Sequence, residues 1–236
     1  EGVPQNSEEA LKFYRLAAEQ GHASTQFNLG LMYRNGEGVA KDDVEAVKWY
    51  RRAAEQGFAE AQSNLGLMYG KGQGIEQDYN KSVKWYRLAA EQGLAQAQHN
   101  LGVMFARGRG VERDYLIAIQ WFELSAKQGY AQAQYNLGLM HHRGEGIPCN
   151  EKEAIKWYRL AAEQGINGAQ SNLGLMYERG QGVERNYVEA HKWFNIAGIN
   201  GNETGRRNAD ILEKKMIPGQ IIFAIGLAQE WAKKFK

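Results

Sequence analysis

The sequence predicts an all-α solenoid built from similar helix-turn-helix repeats of 36 residues each. Three observations predict it: an Asn-Leu-Gly triplet, a glycine that marks a turn, and a tryptophan each return at this constant spacing. A fixed period between 20 and 50 residues is typical of stacked-repeat proteins. The recurring residues are the asparagines Asn28, Asn64, Asn100, Asn136 and Asn172, the glycines Gly21, Gly57, Gly93, Gly129, Gly165 and Gly201, and the tryptophans Trp49, Trp85, Trp121, Trp157 and Trp193.

Six repeats are predicted over residues 6–215. The first three residues, Glu1-Gly2-Val3, match Glu37-Gly38-Val39 in the loop between two repeats. We therefore interpret residues 1–5 as the end of an upstream loop, and we expect that further repeats or a targeting signal preceded it. The predicted repeats are 6–41, 42–77, 78–113, 114–149, 150–185 and a degenerate 186–215, followed by a capping helix over 216–236.

Each repeat divides into two helical patterns, called helix A and helix B below. Helix A of the second repeat begins after Asp42, because an aspartate can accept a backbone N–H at the start of a helix. It ends at Gly57, which can adopt the left-handed conformation that closes a helix. The residues equivalent to Asp42 are all Asp or Asn, namely Asn6, Asp78, Asp114, Asn150 and Asn186.

Helix B runs from about Ala59 to Tyr69 and carries a glycine in its middle. Such a glycine costs roughly 1 kcal/mol relative to alanine, so its return in successive repeats predicts a close approach there. We expect the tryptophan, asparagine and leucine phases to form the core around it. The predicted core residues are Trp49, Trp85, Trp121, Trp157, Trp193, Asn64, Asn100, Asn136, Leu65 and Gly66.

Charged pairs four residues apart follow the tryptophans, as in Arg51 and Glu55 or Arg159 and Glu163. They predict weak ion pairs on helix A. The fourth repeat reverses the signs, to Glu123 and Lys127.

The end of the chain predicts one more helix, over 219–235, whose apolar stripe consists of Ile221, Ile225, Ala228, Trp231 and Phe235. Because the terminal repeat of a solenoid must cover its exposed apolar surface, we expect Trp231 to dock onto the final helix pair.

Composition excludes several classes of protein. The net charge is +2 with both signs interspersed, which argues against nucleic acid as a partner. One cysteine, Cys149, allows no intrachain disulfide, and the most apolar run, Ile221–Leu227, is too short to cross a bilayer. We expect a monomer without a cofactor.

The pattern Ala-x2-Trp-Tyr-x2-Ala-Ala-x-Gln-Gly, followed by Asn-Leu-Gly-x-Met-Tyr and Gly-x-Gly-Val, resembles the Sel1-like repeat family, which is related to tetratricopeptide repeats. The resemblance covers about Gly2 to Asn208. It implies antiparallel helix pairs stacked in a right-handed superhelix. It also implies an adaptor without a catalytic motif, acting in bacterial secretion, host interaction or envelope signalling. An exported, periplasmic or secreted bacterial protein is favoured, and a cytoplasmic one remains open.

Positions that vary between repeats are the candidates for function, because the invariant ones hold the stack together. The leading hypothesis is a non-enzymatic scaffold that binds a peptide or protein on its concave or edge surface. Tyrosines at the start of helix A suit an interface, although they would equally fasten each helix to its neighbour. The candidate binding residues are Tyr79, Tyr115, Tyr187, His99, Tyr135, Tyr130, Glu123, Lys127 and His142.

Two alternatives stay open. His141, His142 and Cys149 would suit a metal-dependent regulator or enzyme, but a zinc site needs further ligands and adjacent histidines point about 100° apart. We therefore expect no metal. The terminal helix, with Ile222 and Phe223, would suit binding to a membrane surface.

Overall fold

The computed structural model describes the backbone of residues 4–235 and the side chains of residues 11–234. Over that range the chain forms thirteen α-helices and no strand, which confirms the all-α prediction. The helices are α1 Pro4–Glu19, α2 Ala23–Asn35, α3 Asp43–Glu55, α4 Ala59–Lys71, α5 Tyr79–Glu91, α6 Ala95–Arg107, α7 Tyr115–Lys127, α8 Ala131–Arg143, α9 Glu151–Glu163, α10 Asn167–Arg179, α11 Tyr187–Ile199, α12 Glu203–Glu213 and α13 Pro218–Phe235.

Helix A of each repeat is odd-numbered, from α1 to α11, and helix B is even-numbered. Contacts divide the chain into two compact units, Glu1–Trp121 and Phe122–Lys236. Within each unit helix A packs on its own helix B, as α3 does on α4 and α9 on α10. Helix B packs in turn on the next helix A, as α4 does on α5 and α8 on α9. This continuous packing of helix pairs is the predicted repeat arrangement.

The predicted caps begin five of the six A helices. The Asp42 carboxylate accepts hydrogen bonds from the backbone nitrogens of Val44 and Glu45 at 2.9 and 3.0 Å. Equivalent bonds are accepted by Asp78, Asp114, Asn150 and Asn186.

The first repeat differs. Helix α1 already begins at Pro4, so Asn6 lies inside the helix and the cap predicted there was wrong. Proline suits the first turn because its fixed φ is helical and its missing N–H needs no partner there. Pro4 and Gln5 therefore belong to the helix and not to the predicted loop, whose residues 1–3 lie outside the described ones.

The glycine of helix B makes room for an aromatic ring from the next helix A. A Cβ atom on Gly66 would lie 2.9 Å from the ring of Tyr86, and one on Gly138 only 2.4 Å from the ring of Tyr158. The close approach predicted from these glycines is thus between backbone and ring.

Buried glutamines join the helices. In the second repeat, Gln62 Nε2 donates to the carbonyl oxygen of Ala54 at 3.1 Å, near the end of helix A. Gln92, from the next repeat, donates to Gln62 Oε1 at 2.8 Å. Because the last carbonyls of a helix lack intrahelical partners, this bond closes helix A and also links consecutive repeats. Gln134 and Gln164 repeat the arrangement in the second compact unit.

Helix α13 packs against α11, the helix A of the sixth repeat. The ring centroids of Trp231 and Trp193 are 6.4 Å apart, with the rings inclined at 65°. Ala224 and Ala228 are buried on the packed side of α13, whereas Ile225, which the predicted stripe included, is 37% exposed. Trp231 therefore docks onto the final helix pair, as the apolar stripe predicted.

Candidate functional site

The tryptophan of helix A and the residue three positions later lie on one side of the helix, because residues three apart are neighbours on a helix surface. We call this pair the tryptophan face of each repeat. In the third repeat Trp85 is half-buried and Leu88 is 37% exposed. In the fifth repeat Trp157 is half-buried and Leu160 is 44% exposed.

Only two of the five predicted core tryptophans are fully buried, and each has its own cover. Trp49 is 5% exposed, and the guanidinium carbon of Arg52 lies 4.6 Å from its ring centroid. Trp193 is 4% exposed beneath Trp231 of α13. The prediction of a buried core is therefore corrected for Trp85, Trp121 and Trp157, which are half-buried. Leucine follows those three tryptophans where the second repeat has arginine.

A cleft of about 410 Å³ opens along the edge of α13. Glu163, at the end of α9 and three residues after Leu160, is one of the residues that line it. The tryptophan face of α9 therefore runs from Trp157 past Leu160 to the rim of this cleft. Its lining residues are Glu163, Lys192, Trp193, Leu227, Glu230, Trp231 and Lys234.

The edge tyrosines are half-buried and each carries an arginine. The Arg109 guanidinium lies 5.5 Å from the ring centroid of Tyr79, and Tyr79 Oη accepts a hydrogen bond from Gln77. Arg113 covers Tyr115 at 5.5 Å, and in the other compact unit Arg185 covers Tyr187 at 5.4 Å. Arg109 comes from the loop after α6, so its contact fastens the start of α5 to the end of the same repeat.

Three other candidate residues lie within the packing of the repeats. The Tyr135 hydroxyl occupies space that a Cβ atom on Gly168 would need, at 2.7 Å, and its ring lies 6.0 Å from that of Tyr158. Burial lowers the pKa of His99 to about 4, and burial raises the pKa of Tyr130, which directly precedes α8. These side chains offer a partner less surface than their variability suggested.

The repeats match a known family. A profile of the Sel1 repeat matches residues 1–22, 23–58, 59–94, 95–130, 131–166 and 168–202. The five matches after the first each cover helix B of one repeat and helix A of the next. The chain belongs to the Sel1 repeat family. Sel1 repeat proteins generally mediate protein–protein interactions and are typically not enzymes.

Solved structures agree with this assignment. A Sel1 repeat protein from Oxalobacter formigenes is 33% identical, with a TM-score of 0.82 over 95% of this chain and 92% of its own. A candidate sel1 repeat protein from Klebsiella pneumoniae subsp. pneumoniae is 23% identical, with a TM-score of 0.56 over 86% of this chain and 99% of its own. The immunity protein Pa5087 of Pseudomonas aeruginosa shares the fold at 22% identity and a TM-score of 0.50, over 85% of this chain and 81% of its own. Comparison with curated protein sequences gives no match.

The repeat over 114–149 does not assemble its histidines and cysteine into a metal site. His142 Nδ1 lies 3.2 Å from the hydroxyl of Tyr158, and Cys149 Sγ donates to the His142 carbonyl oxygen at 3.3 Å. Among the described residues, no group of three or more His, Cys, Asp or Glu side chains is placed to hold a metal ion. Glu123 and Lys127 face each other at 3.9 Å on the surface of α7.

The arginines of the predicted charge pairs form hydrogen bonds to tyrosines of helix B. Arg51 Nη2 donates to the Tyr69 hydroxyl at 3.0 Å, and Arg159 Nη2 donates to that of Tyr177 at 2.6 Å. Each bond joins helix A to helix B of one 36-residue repeat as numbered from the caps. The pairing predicted with the glutamate four residues later is thus replaced by a contact between helices.

His191 is a buried polar residue that sequence reasoning missed. It is fully buried, with Nε2 3.1 Å from Glu213 Oε1 and Nδ1 2.8 Å from Asn195 Nδ2. The equivalent positions in repeats two to five hold Val or Ile, so a histidine at an apolar phase was the available signal. It joins α11 to α12 in the degenerate sixth repeat.

Helix α13 exposes Ile222 and Phe223 to solvent on the side away from Ala224 and Ala228. No helix within residues 4–235 has the length and apolar character needed to cross a membrane.

Proposed function

We propose that this protein is a non-enzymatic scaffold that captures a protein partner on the tryptophan face of its open repeats. One observation carries the proposal. The same stripe of helix A is exposed at Leu88 and Leu160, but fully buried at Ile196, where the chain's own α13 lies on it.

An open tryptophan face has the chemistry of an interface anchor. A half-buried indole beside an exposed leucine offers apolar area already held in place by the helix, so little entropy is lost on binding. Family membership supports a protein as the partner. The role implied by that membership, in bacterial secretion, host interaction or envelope signalling, is part of the proposal.

The tyrosine edge is proposed as a second contact surface. Tyrosine and arginine are both enriched at interfaces, and Tyr79 with Arg109 presents the two together. Tyr79→Ala should weaken partner capture and leave thermal melting unchanged. A lower melting temperature with unchanged capture would assign this tyrosine to packing alone.

Capture from cells of the source organism tests the main proposal. The full chain, Leu88→Glu and Leu160→Glu serve as baits, with prey quantified by mass spectrometry. Both leucines are exposed, so the variants should melt like the parent while losing the same prey. Ile211→Glu, an exposed isoleucine on α12, is the matched control and should keep the prey. Retention by the leucine variants, or equal loss in the control, would contradict the proposal.

Membrane-surface binding is the second candidate, favoured by Ile222 and Phe223 on α13 and by Lys233 and Lys234 in its last turn. Apolar side chains beside lysines suit an anionic bilayer surface. The full chain should co-sediment with vesicles of anionic lipid, and a variant combining Ile222→Ser and Phe223→Ser should not. If the two sediment alike, this role is excluded for α13.

A further inference from the structure

Helix α13 shows what kind of ligand a tryptophan face accepts. It lies on α11, which has the same tryptophan phase as α9, and the ring of Trp231 meets that of Trp193. Ile196, three residues after Trp193, is fully buried in the same apolar cluster as Ala228. An amphipathic helix on the face of helix A is therefore a geometry that this chain already forms.

The seated side of α13 has a simple pattern. Ala224 and Ala228 are buried, and Trp231 follows three residues later. Residues spaced by four and three lie on one stripe of a helix. Small residues allow the two helices to approach, and the indole fills the space beside Trp193.

The face of α9 is equivalent but uncovered. Trp157 and Leu160 stand at the phases of Trp193 and Ile196, and Leu160 is 44% exposed. This face reaches Glu163 at the rim of the cleft that α13 borders with Leu227 and Glu230. A helix lying on α9 would therefore continue the existing α11–α13 interface.

Electrostatics also fit a helix in this position. The cleft carries Glu163 and Glu230 together with Lys192 and Lys234. Mixed signs at the rim suit the polar side of an amphipathic helix, whose apolar side faces Trp157 and Leu160.

We infer that the tryptophan face of α9 binds an amphipathic helix of a partner protein, with small residues four apart and an aromatic residue three positions later. The inference rests on the proposed scaffold function and names the chemistry of its partner. The ligand packs its small residues on Leu160 and its aromatic ring on Trp157, beside α13.

A fluorescent peptide with the sequence of residues 218–236 provides the probe. Titrated against the full chain, it should raise fluorescence anisotropy with a saturable isotherm. Leu160→Glu should weaken binding by at least about tenfold, because it places a carboxylate on the apolar contact, whereas Ile211→Glu should not. A control peptide carrying Ala224→Glu and Ala228→Glu keeps Ile222 and Phe223, so it measures nonspecific hydrophobic binding through those two residues. Equal binding of the two peptides, or no binding, would overturn the inference.

The place of binding is read by photocrosslinking from the peptide position of Trp231. Crosslinks to residues of α9 support the inference. Crosslinks confined to α11 would mean that the peptide exchanges with the chain's own α13, and would overturn it. If the full chain forms a dimer that Leu160→Glu dissociates, a second copy of this chain occupies the face. That result would also overturn the inference that a partner protein binds there.

The failure of this inference is distinguishable from failure of the scaffold proposal. If no peptide binds but prey capture still depends on Leu160, the face binds a protein by another element and only the helix is refuted. If capture is also independent of Leu88 and Leu160, both fail.

Discussion

Gly138→Ala tests whether the glycine of helix B is required by the ring that lies on it. The new Cβ atom would lie 2.4 and 2.6 Å from two ring carbons of Tyr158, whereas ordinary contact begins near 3.4 Å. The ring must therefore retreat by about 1 Å. It is fully buried, and its hydroxyl lies 3.2 Å from His142 Nδ1, so its movement is opposed on both sides.

The expected cost follows from two opposing terms. Overpacking of a well-packed core costs about 1–3 kcal/mol, and the tight contact at Gly138 places this case at the upper end. Alanine gains about 1 kcal/mol over glycine inside a helix. The free energy of unfolding should thus fall by about 2 kcal/mol, which for a chain of this size lowers Tm by roughly 4–8 °C.

Gly226→Ala is the matched control, because a Cβ atom on this helical glycine of α13 would have no neighbour within 4 Å. It should stabilise the protein by up to about 1 kcal/mol. Urea denaturation followed by far-UV circular dichroism measures both changes. The Gly138→Ala cost should also shrink in a Tyr158→Leu background. If Gly138→Ala is as stable as the parent, or if Tyr158→Leu leaves its cost unchanged, the ring does not set the requirement for glycine.

Three further predictions concern the stack. Burial lowers the pKa of His99 from 6.5 to about 4, so between these values the unfolded chain binds a proton more readily than the folded one. The free energy of unfolding is therefore unaffected by this residue above pH 6.5 and decreases as the pH falls toward 4. His99→Ser, the residue of the second and fifth repeats, should flatten that loss of up to about 3 kcal/mol in urea titrations at several pH values. Gln134→Leu removes the donor to the Ala126 carbonyl and should cost about 1–3 kcal/mol in the same assay. Asp42→Ala should cost about 0.5–2 kcal/mol in that assay, by loss of its two cap bonds.

Much of the fold could be predicted because the repeat makes local signals redundant. The cap at Asp42 and the left-handed glycine at Gly57 bound helix A, and the recurrence of both establishes the 36-residue period. The first repeat shows the limit of copying a pattern. Pro4 begins α1 earlier than the cap phase predicts, because local chemistry at one position outweighs the phase of the other repeats.

The candidate site was harder to predict, since variation between repeats has two causes. Tyr135 packs on Gly168, where its hydroxyl occupies the space that a Cβ atom would need. Phe27, at the equivalent position of the first repeat, packs instead on Phe58, with ring centroids 5.2 Å apart. A single sequence cannot distinguish such packing differences from a binding surface, because in both cases the residue at a given repeat position changes from one repeat to the next.

The exposure of the tryptophan face depends on which residue or helix covers it, and this is set outside the tryptophan phase. Arg52 covers Trp49 through its own guanidinium, whereas Leu88 and Leu160 leave their faces open. At the sixth repeat an entire helix takes the place of the arginine. The same tryptophan is therefore buried in some repeats and half-buried in others. If the proposed scaffold function is correct, the residue three positions after each tryptophan decides which repeats a partner contacts, because that residue decides which tryptophan faces are open.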